Sequence, residues 1–197
     1  MISKETYQVM KSKYGIVGSW AVWTTADNTP KSNTSDMSWL ENPNLLDVLD
    51  TGFVFVGRNW SSTHGDQTQG GKLAWRNFHS SYAYQNDYKL RFALTDTKYW
   101  GSYMTDFIKL YSEIDSSKVK YYLKQNPEII TANTISFEEE IGYLQANPVL
   151  VAMGSDTYDL LQKNLGHKYR IVQIRNYAYY ISKEDYRKEV LQVLDTF

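Results

Sequence analysis

The chain contains no cysteine. This absence excludes disulfide bonds, thiolate zinc sites and cysteine nucleophiles, and it excludes iron–sulfur clusters held by thiolates. Histidine is scarce as well: the 197 residues include 3, at no spacing typical of metal ligands. The sequence therefore predicts neither a bound metal ion nor a cofactor.

The sequence also lacks an excess of charge of one sign. Its 21 lysines and arginines and 22 aspartates and glutamates leave a net charge of -1, so any contact with DNA must use a local basic patch. No stretch approaches the ~18 consecutive apolar residues that span a bilayer. Residues 1–14 mix lysine and glutamate with isolated apolar side chains, unlike a secretory signal. We expect a cytoplasmic protein without membrane contact.

Nothing in the sequence marks a boundary between domains. There is no internal repeat and no charge block, and the 4 prolines and 11 glycines do not cluster into a linker. A composition of 42% hydrophobic and 22% charged residues is typical of one folded core. We predict a single domain over residues 1–197, and we expect a monomer.

Apolar runs predict the first elements of this domain. Gly52 to Val56 has the pattern of a strand buried on both faces, which ends at Gly57. The segment from Asn59 to Gly71 is too long for a tight turn and too polar for the core, so we interpret it as a binding loop. Leu90, Ala93 and Leu94 have helical spacing, and Gly101 to Lys109 predicts a second strand.

Strands and helices then alternate to the end of the chain. Ser116 or Ser117 is predicted to cap a helix to about Gln125, and Ser136 with Glu139 forms the capping-box pattern of a helix that ends before Pro148. The remaining predictions are a strand at Val149 to Met153, a helix at Asp156 to Leu165 closed by Gly166, a strand at Tyr169 to Ile174, and a final helix opened by Ser182 with Val190, Leu191 and Leu194 toward the core.

This alternation predicts an α/β fold. We expect a mainly parallel central sheet of about four strands with helices on both faces, because parallel strands need helical crossovers. Ligands of such sheets bind beyond the carboxyl ends of the strands. The loop after Val56, the end of the second strand near Asp106 and the loop after Ile174 are therefore expected to meet at one cleft.

Three segments at these strand ends carry a resemblance. They are residues 56–62 (Val-Gly-Arg-Asn-Trp-Ser-Ser), residues 101–109 (Gly-Ser-Tyr-Met-Thr-Asp-Phe-Ile-Lys) and residues 174–178 (Ile-Arg-Asn-Tyr-Ala). In this order they are similar to the Gly-x-Asn-Pro loop, the Tyr-x-Thr-Asn-x-x-Lys strand and the His-Pro-Ser or Asn-Pro-Ser loop of the uracil-DNA glycosylase superfamily. The mismatch-specific and single-strand-selective branches are the nearest in motif. The resemblance covers roughly Phe53 to Leu194.

The resemblance implies a three-layer α/β sandwich and an activity. The activity is hydrolysis of the N-glycosidic bond of a damaged or mismatched base that is flipped out of DNA, by a monofunctional glycosylase without metal or cofactor. It assigns catalytic positions to Asn59, which orients the attacking water, and to Asn176 in the last loop. The candidate substrate-binding residues are Gly57, Arg58, Trp60, Phe78, His79, Asp106 and Tyr177, and the resemblance implies that Phe78 stacks on the base.

Three positions depart from the family pattern. Asp106 stands where the family commonly has an asparagine that reads uracil. An ionised carboxylate only accepts hydrogen bonds, so it suits an exocyclic amino group and repels O4 of uracil, unless burial keeps it protonated. Trp60 and Tyr177 replace prolines that stiffen the two loops. Tyr177 is a candidate wedge into the minor groove, with Tyr179 and Tyr180 packed behind it.

Each of these residues also has a purely structural interpretation. Asn59 can cap the turn after its strand, Phe78 can anchor its loop in the core, and Asp106 can cap a strand end. Tyrosines are common on sheet edges, and histidines such as His64 and His79 are often only solvated. On this alternative the chain is a fold relative that has lost the chemistry and binds a nucleotide, a nucleic acid or a protein.

Five basic side chains near the expected cleft form the candidate DNA patch. They are Arg58, Lys72, Arg76, Lys109 and Arg175. The helix start at Gly154-Ser155-Asp156 is a further candidate, because free backbone amides at a helix N-terminus can bind an anion, although such a segment more often only caps the helix.

Overall fold

A computed structural model describes residues 2–60, 74–82, 84–109, 111 and 113–197. Its sheet confirms the predicted α/β class. The five strands are β1 (Gly18–Trp20), β2 (Asp50–Asn59), β3 (Ser102–Ile108), β4 (Val149–Met153) and β5 (Ile171–Ile174), in the order β1-β3-β2-β4-β5. Four strands pair in parallel, and β1 pairs antiparallel with β3 at one edge. The predicted strands correspond to the four parallel ones, with β5 beginning at Ile171 rather than Tyr169.

Seven α-helices surround this sheet in the described part of the chain. They are α1 (Lys4–Tyr14), α2 (Leu45–Val48), α3 (Asp87–Leu94), α4 (Ser116–Gln125), α5 (Pro127–Gly142), α6 (Ser155–Leu165) and α7 (Lys183–Leu194), and a short 3-10 helix covers Ser38–Glu41. None of these described helices is both long enough and apolar enough to cross a membrane.

The two faces of the sheet bury separate apolar clusters. Alternation along β2 sends Val54 and Val56 to one face and Phe55 to the other. The first face packs against α1, α4, α5 and α6, and the second packs against α3 and α7. Burial of each such side chain contributes about 1.5–3 kcal/mol. The three predicted layers therefore follow from apolar residues on both faces of the central strands.

The helix predicted around Ser136 is wrong in its start. α5 begins at Pro127, where the missing amide of proline costs nothing in the first turn. Ser136 lies inside the helix, and Glu139 forms an ion pair with Lys13 (2.9 Å) instead of a capping box. The buried stripe of α5 includes Asn133 and Glu140, and these polar residues hide the helical pattern in the sequence.

Of two other predicted helix caps, the one for α4 is wrong and the one for α7 is confirmed. The cap of α4 is Asp115, whose carboxylate accepts from the amides of Ser117 and Lys118, rather than Ser116 or Ser117. The cap of α7 is Ser182 as predicted, and its hydroxyl accepts from the amide of Asp185. Val190 and Leu194 of α7 are buried, as expected.

The sheet topology places a crevice at the centre of its carboxyl edge. The chain passes from β2 to β3 on one side and then returns to β4 on the other side of β2. The connections after β2 and β4 therefore diverge, and such a reversal of strand order is where open α/β sheets bind ligands. The residues that follow these two strands begin at Trp60 and Gly154.

The start of β3 supplies a test of the fold. Gly101 has φ +85°, and a Cβ there would lie 1.9 Å from the carbonyl oxygen of Val48. We expect Gly101→Ala to lower the free energy of unfolding by about 2–4 kcal/mol, since both the left-handed backbone and the clash oppose a side chain. Urea unfolding measures this change.

Gly142→Ala is the matched control. A Cβ at Gly142, the last residue of α5, has no atom within 4 Å. Alanine is the better helix former, so this variant should be neutral or more stable by up to about 1 kcal/mol. Equal unfolding midpoints for the two variants would contradict the tight junction at Gly101.

Candidate functional site

A cavity of about 550 Å³ lies at the carboxyl edge of the sheet. This volume is within the range of small-molecule sites. Residues from all three predicted strand ends line it, together with Phe78, and they include Gly57, Arg58, Asn59, Asp106, Asn176 and Tyr177. Residues far apart in the sequence therefore meet around one hollow.

Parallel pairing of β2 with β3 forms the floor of the cavity. Gly57 lies directly beside Asp106 in the register of the two strands. A Cβ at position 57 would stand 2.0 Å from Oδ1 of Asp106, so only glycine leaves room for the carboxyl group. This close approach explains why the apolar run of β2 ends in glycine.

Asp106 is a buried carboxyl group without a cationic partner in hydrogen-bond contact among the described residues. Its Oδ2 accepts from Nδ2 of Asn77 at 2.8 Å. Burial raises the pKa of Asp106 to about 6, although the hydrogen bond from Asn77 and the charge of Lys109 act in the opposite direction. At neutral pH the cavity floor therefore carries a carboxylate that is easily protonated.

Phe78 and Tyr177 form an aromatic wall of the cavity. Their ring centroids are 6.3 Å apart at 70°, an edge-to-face contact. Phe78 is buried and has φ +64°, which is uncommon for a bulky residue and is maintained only by strong surrounding contacts. Burial and the nearby carboxylates of Asp87 and Asp106 hold the pKa of the Tyr177 hydroxyl well above its usual range.

Asn59 lies at the end of β2 with its amide orientation fixed. Nδ2 donates to the carbonyl oxygens of Glu113 (2.7 Å) and Trp60 (3.5 Å). Oδ1 accepts only a long hydrogen bond from Nε of Arg58 (3.3 Å) in the described structure. The carbonyl oxygen of Asn59 therefore keeps the capacity to accept a hydrogen bond from water.

Asn176 folds the loop after β5 over the cavity. Its Oδ1 accepts from the amide of Ala178 at 2.8 Å, which closes a tight turn, and Nδ2 lies 3.4 Å from the carbonyl oxygen of Met153. Tyr179 and Tyr180 are exposed, and Tyr180 fully so. The expectation that these two tyrosines pack behind Tyr177 is therefore wrong, because it is Tyr177 that packs inward against Phe78.

Two candidate binding residues do not line the cavity. Trp60 continues the pairing with β3, and its amide donates to the carbonyl oxygen of Ile108. His79 is buried, stacks on Trp23 with centroids 5.0 Å apart, and has Nε2 2.9 Å from the carbonyl oxygen of Val22. His79 therefore anchors its segment to the core, while His64 and Lys72 lie outside the described residues.

The basic residues of the expected DNA patch are mostly paired with carboxylates. Arg58 contacts Asp156 (2.9 Å), and Arg175 contacts Glu189 (2.6 Å). Lys109 is buried and contacts Glu140 of α5 (2.8 Å). The expectation that Lys109 faces the cleft is therefore wrong. Arg76 has no ion pair within the described ranges, and its Nε is buried without a hydrogen-bond partner there.

The start of α6 does not present a free anion site. Asp156 lies in its first turn and binds both Arg58 (2.9 Å) and Lys120 (2.9 Å). The segment Gly154-Ser155-Asp156 thus places a carboxylate where an anion was expected, and this carboxylate neutralises the positive helix end.

A larger cavity of about 910 Å³ lies elsewhere, between α3, α7 and the segment before the 3-10 helix. Trp23, Trp39 and Trp100 line it, and the guanidinium groups of Arg91 and Arg187 there donate to backbone carbonyls. It lies away from the carboxyl ends of the parallel strands, so we place the candidate site in the smaller cavity. Among the residues that the structure covers, no three His, Asp or Glu side chains are grouped to hold a metal ion.

Comparisons of the chain with protein-family models, with curated proteins and with solved structures give no match. The assignment of the site therefore depends on its geometry and on the sequence motifs.

Sequence reasoning missed two residues of this site. Asn77 holds the carboxyl group of Asp106, and its Nδ2 also donates to the carbonyl oxygen of Val17 (2.6 Å). Glu113 lines the cavity and fixes Asn59 through its backbone. The position of Asn77 beside Phe78 was the only signal in the sequence, and contacts of backbone carbonyls leave no signal at all.

Asp106→Asn tests the electrostatics of the site. The folded protein raises the pKa of Asp106 from its ordinary 3.8 to about 6, so the folded state binds the proton more tightly, and the parent loses stability as the pH rises through this window. Between pH 5 and pH 8, the unfolding free energy of the parent should fall by about 1 kcal/mol relative to that of the variant. Urea unfolding at both pH values checks this.

Asp159→Asn provides the control, because Asp159 is exposed on α6. Its unfolding free energy should follow that of the parent across the pH range. A parent and an Asp106→Asn variant that change in parallel would contradict the raised pKa of Asp106.

Proposed function

We propose that the protein is a base-excising N-glycosyl hydrolase of the uracil-DNA glycosylase type, which holds a flipped-out nucleobase in the 550 Å³ cavity. The observation that carries this proposal is the meeting of Asn59, Phe78, Asp106 and Asn176 around one hollow. An amide, an aromatic ring and a carboxyl group are the side chains that can orient water, stack on a base and read its polar edge. The order of the three motif segments supports the same activity.

Each side chain then has a step in the reaction. Oδ1 of Asn59 accepts a hydrogen bond from water and orients it toward C1′ of the sugar. The water adds to C1′ and gives up a proton, the N-glycosidic bond breaks, and the bonding electrons leave with the base, which takes up a proton. Nδ2 of Asn176, whose contact with Met153 is long, is the donor that stabilises charge on the leaving base.

The aromatic wall supplies binding rather than chemistry. Stacking of a base on an aromatic ring is worth about 1–3 kcal/mol, and Phe78 is held rigidly for this contact by its left-handed backbone and by Tyr177. Little conformational entropy is then lost when a base binds.

A second candidate function is a binding module without chemistry. The ion pairs of Arg58, Lys109 and Arg175 favour the version of this module that binds a protein segment, because paired cations contribute less to phosphate binding. The hydrogen bond from Nδ2 of Asn59 to the carbonyl oxygen of Glu113 is also what a residue that only caps the end of β2 would make. On this alternative the cavity binds a nucleotide, a nucleic acid or a protein segment without cleavage.

Abasic-site formation distinguishes the two functions. Single- and double-stranded oligonucleotides that carry uracil, hypoxanthine, mismatched thymine, mismatched cytosine or alkylated bases are incubated with the protein, and alkali then cleaves the strand at abasic sites. We expect release of at least one base, and we expect Asn59→Ala to slow it by about 100-fold, because the water loses its orienting group.

Asn164→Ala is the matched control. Asn164 lies on α6 outside the cavity, and its amide donates only to the carbonyl oxygen of Leu160 in the described structure. This variant should keep the parent rate. If no base is released from any strand, or if the two asparagine variants are equally active, excision through Asn59 is wrong and the binding module is the better description.

A further inference from the structure

The floor of the cavity carries one carboxyl oxygen without a partner. The side chain of Asp106 is buried, with 5% exposure, and Oδ2 accepts from Asn77. Oδ1 has no hydrogen-bond partner among the residues that the structure describes, and it lies over the Cα of Gly57. Oδ1 is not one of the fully enclosed polar atoms of the described residues, so it is open to a ligand or to water in the cavity. Oδ1 is therefore the atom that the polar edge of a bound base would meet.

Asn77 fixes which oxygen is available. Its Nδ2 donates to the carbonyl oxygen of Val17 (2.6 Å) as well as to Oδ2 of Asp106 (2.8 Å), so the carboxyl plane is held from the N-terminal part of the chain. Rotation of the carboxyl group would break the second of these hydrogen bonds. The ligand is then offered one oxygen in one orientation.

The charged groups around Asp106 do not neutralise it. Lys109 and Glu140 of α5 pair with each other at 2.8 Å. Asp87 of α3 adds a second carboxylate, which accepts from the amide of Ser80, and the hydroxyl of Tyr177 comes from the last loop. Two carboxylates, Glu140 and Asp87, thus oppose the one lysine near Asp106, and they favour a ligand group that donates.

We propose that Oδ1 of Asp106 makes the cavity select bases whose edge carries an exocyclic amino group, of the cytosine or adenine type, over the carbonyl edge of uracil. This inference rests on the proposed function and names its substrate class. An ionised carboxylate only accepts, so it binds an amino group and repels a carbonyl oxygen. A carbonyl edge would leave Oδ1 unsatisfied in a buried site.

The selection depends on pH in a defined direction. Because burial raises the pKa of Asp106 to about 6, the group is ionised at pH 8 and largely protonated at pH 5. Asn77 donates to Oδ2, so the proton resides on Oδ1, which then donates a hydrogen bond to a carbonyl edge. Preference for the amino edge increases with pH.

The test compares single-stranded oligothymidylates that each carry one cytosine, adenine or uracil. At pH 8 the parent should release cytosine or adenine about 10- to 100-fold faster than uracil, the discrimination expected for one well-formed hydrogen-bonded edge. The ratio should shrink at pH 5. Asp106→Asn, which can donate, should prefer uracil and lose the pH dependence. Uracil release by the parent at pH 8 that equals the release of both amino bases would overturn the inference.

The variant Asn77→Ala tests whether Asn77 positions the carboxyl group of Asp106 or only stabilises the fold. Its hydrogen bond lowers the pKa of Asp106, so its loss should move the midpoint of the pH-dependent selectivity to higher pH. A purely structural role would lower all rates and leave the midpoint unchanged. Circular dichroism melting checks that both variants fold.

Nucleoside binding keeps the inference testable if no base is released. Calorimetry at pH 8 with cytidine, adenosine and uridine measures the same preference without chemistry. Tighter binding of either amino nucleoside in the absence of excision would make the proposed activity wrong and support the inference. Equal binding of all three, or no binding to any, would overturn the inference even if excision occurs.

Discussion

The hydrogen bond from Asn77 to Asp106 connects the parts of the molecule that form the site. Asp106 belongs to the central sheet, whereas Asn77 belongs to a segment that contacts the N-terminal region through Val17. A buried carboxylate is costly, and a hydrogen bond to its charged form lowers that cost. The position of Phe78 depends on the same contact, because it follows Asn77 directly. Loss of this bond would therefore disturb the floor and the wall of the cavity together.

The segment around Asn77 is strained, and other contacts hold it in place. Trp75 and Phe78 both have positive φ, each at a cost of order 1–3 kcal/mol. Their backbone is fixed by buried contacts: the hydroxyl of Ser19 donates to the carbonyl oxygen of Trp75 (2.7 Å), and His79 stacks on Trp23. Strand β1 thus serves the site although it lines none of it. The short antiparallel strand at the edge of the sheet therefore holds the segment that carries Asn77 and Phe78.

The predictions from sequence succeeded where the physics is local. The apolar runs of β2 and β4 indicate strands without reference to the rest of the chain, and the ends of parallel strands must share one edge of the sheet. That geometry brings Asn59, Asp106 and Asn176 together. Prediction failed where contacts between residues far apart in the sequence determine the structure. Three residues are too few for β1 to show a pattern, and the buried Glu140 of α5 is explained only by Lys109 and the hydroxyl of Tyr103, which donates to it at 2.7 Å.

The charges around the cavity determine what kind of recognition it can perform. Arg58 is bound to Asp156, and Arg175 is bound to Glu189 and lies over the ring of Tyr179 (4.8 Å). Since these cations are already paired, attraction to a phosphate backbone contributes little to binding at this surface. On the proposed function, affinity must then come from stacking and from hydrogen bonds to the base itself, which are short in range and sensitive to the shape of the ligand. A base-binding site of this kind would gain selectivity between bases while its general affinity for nucleic acid stays low.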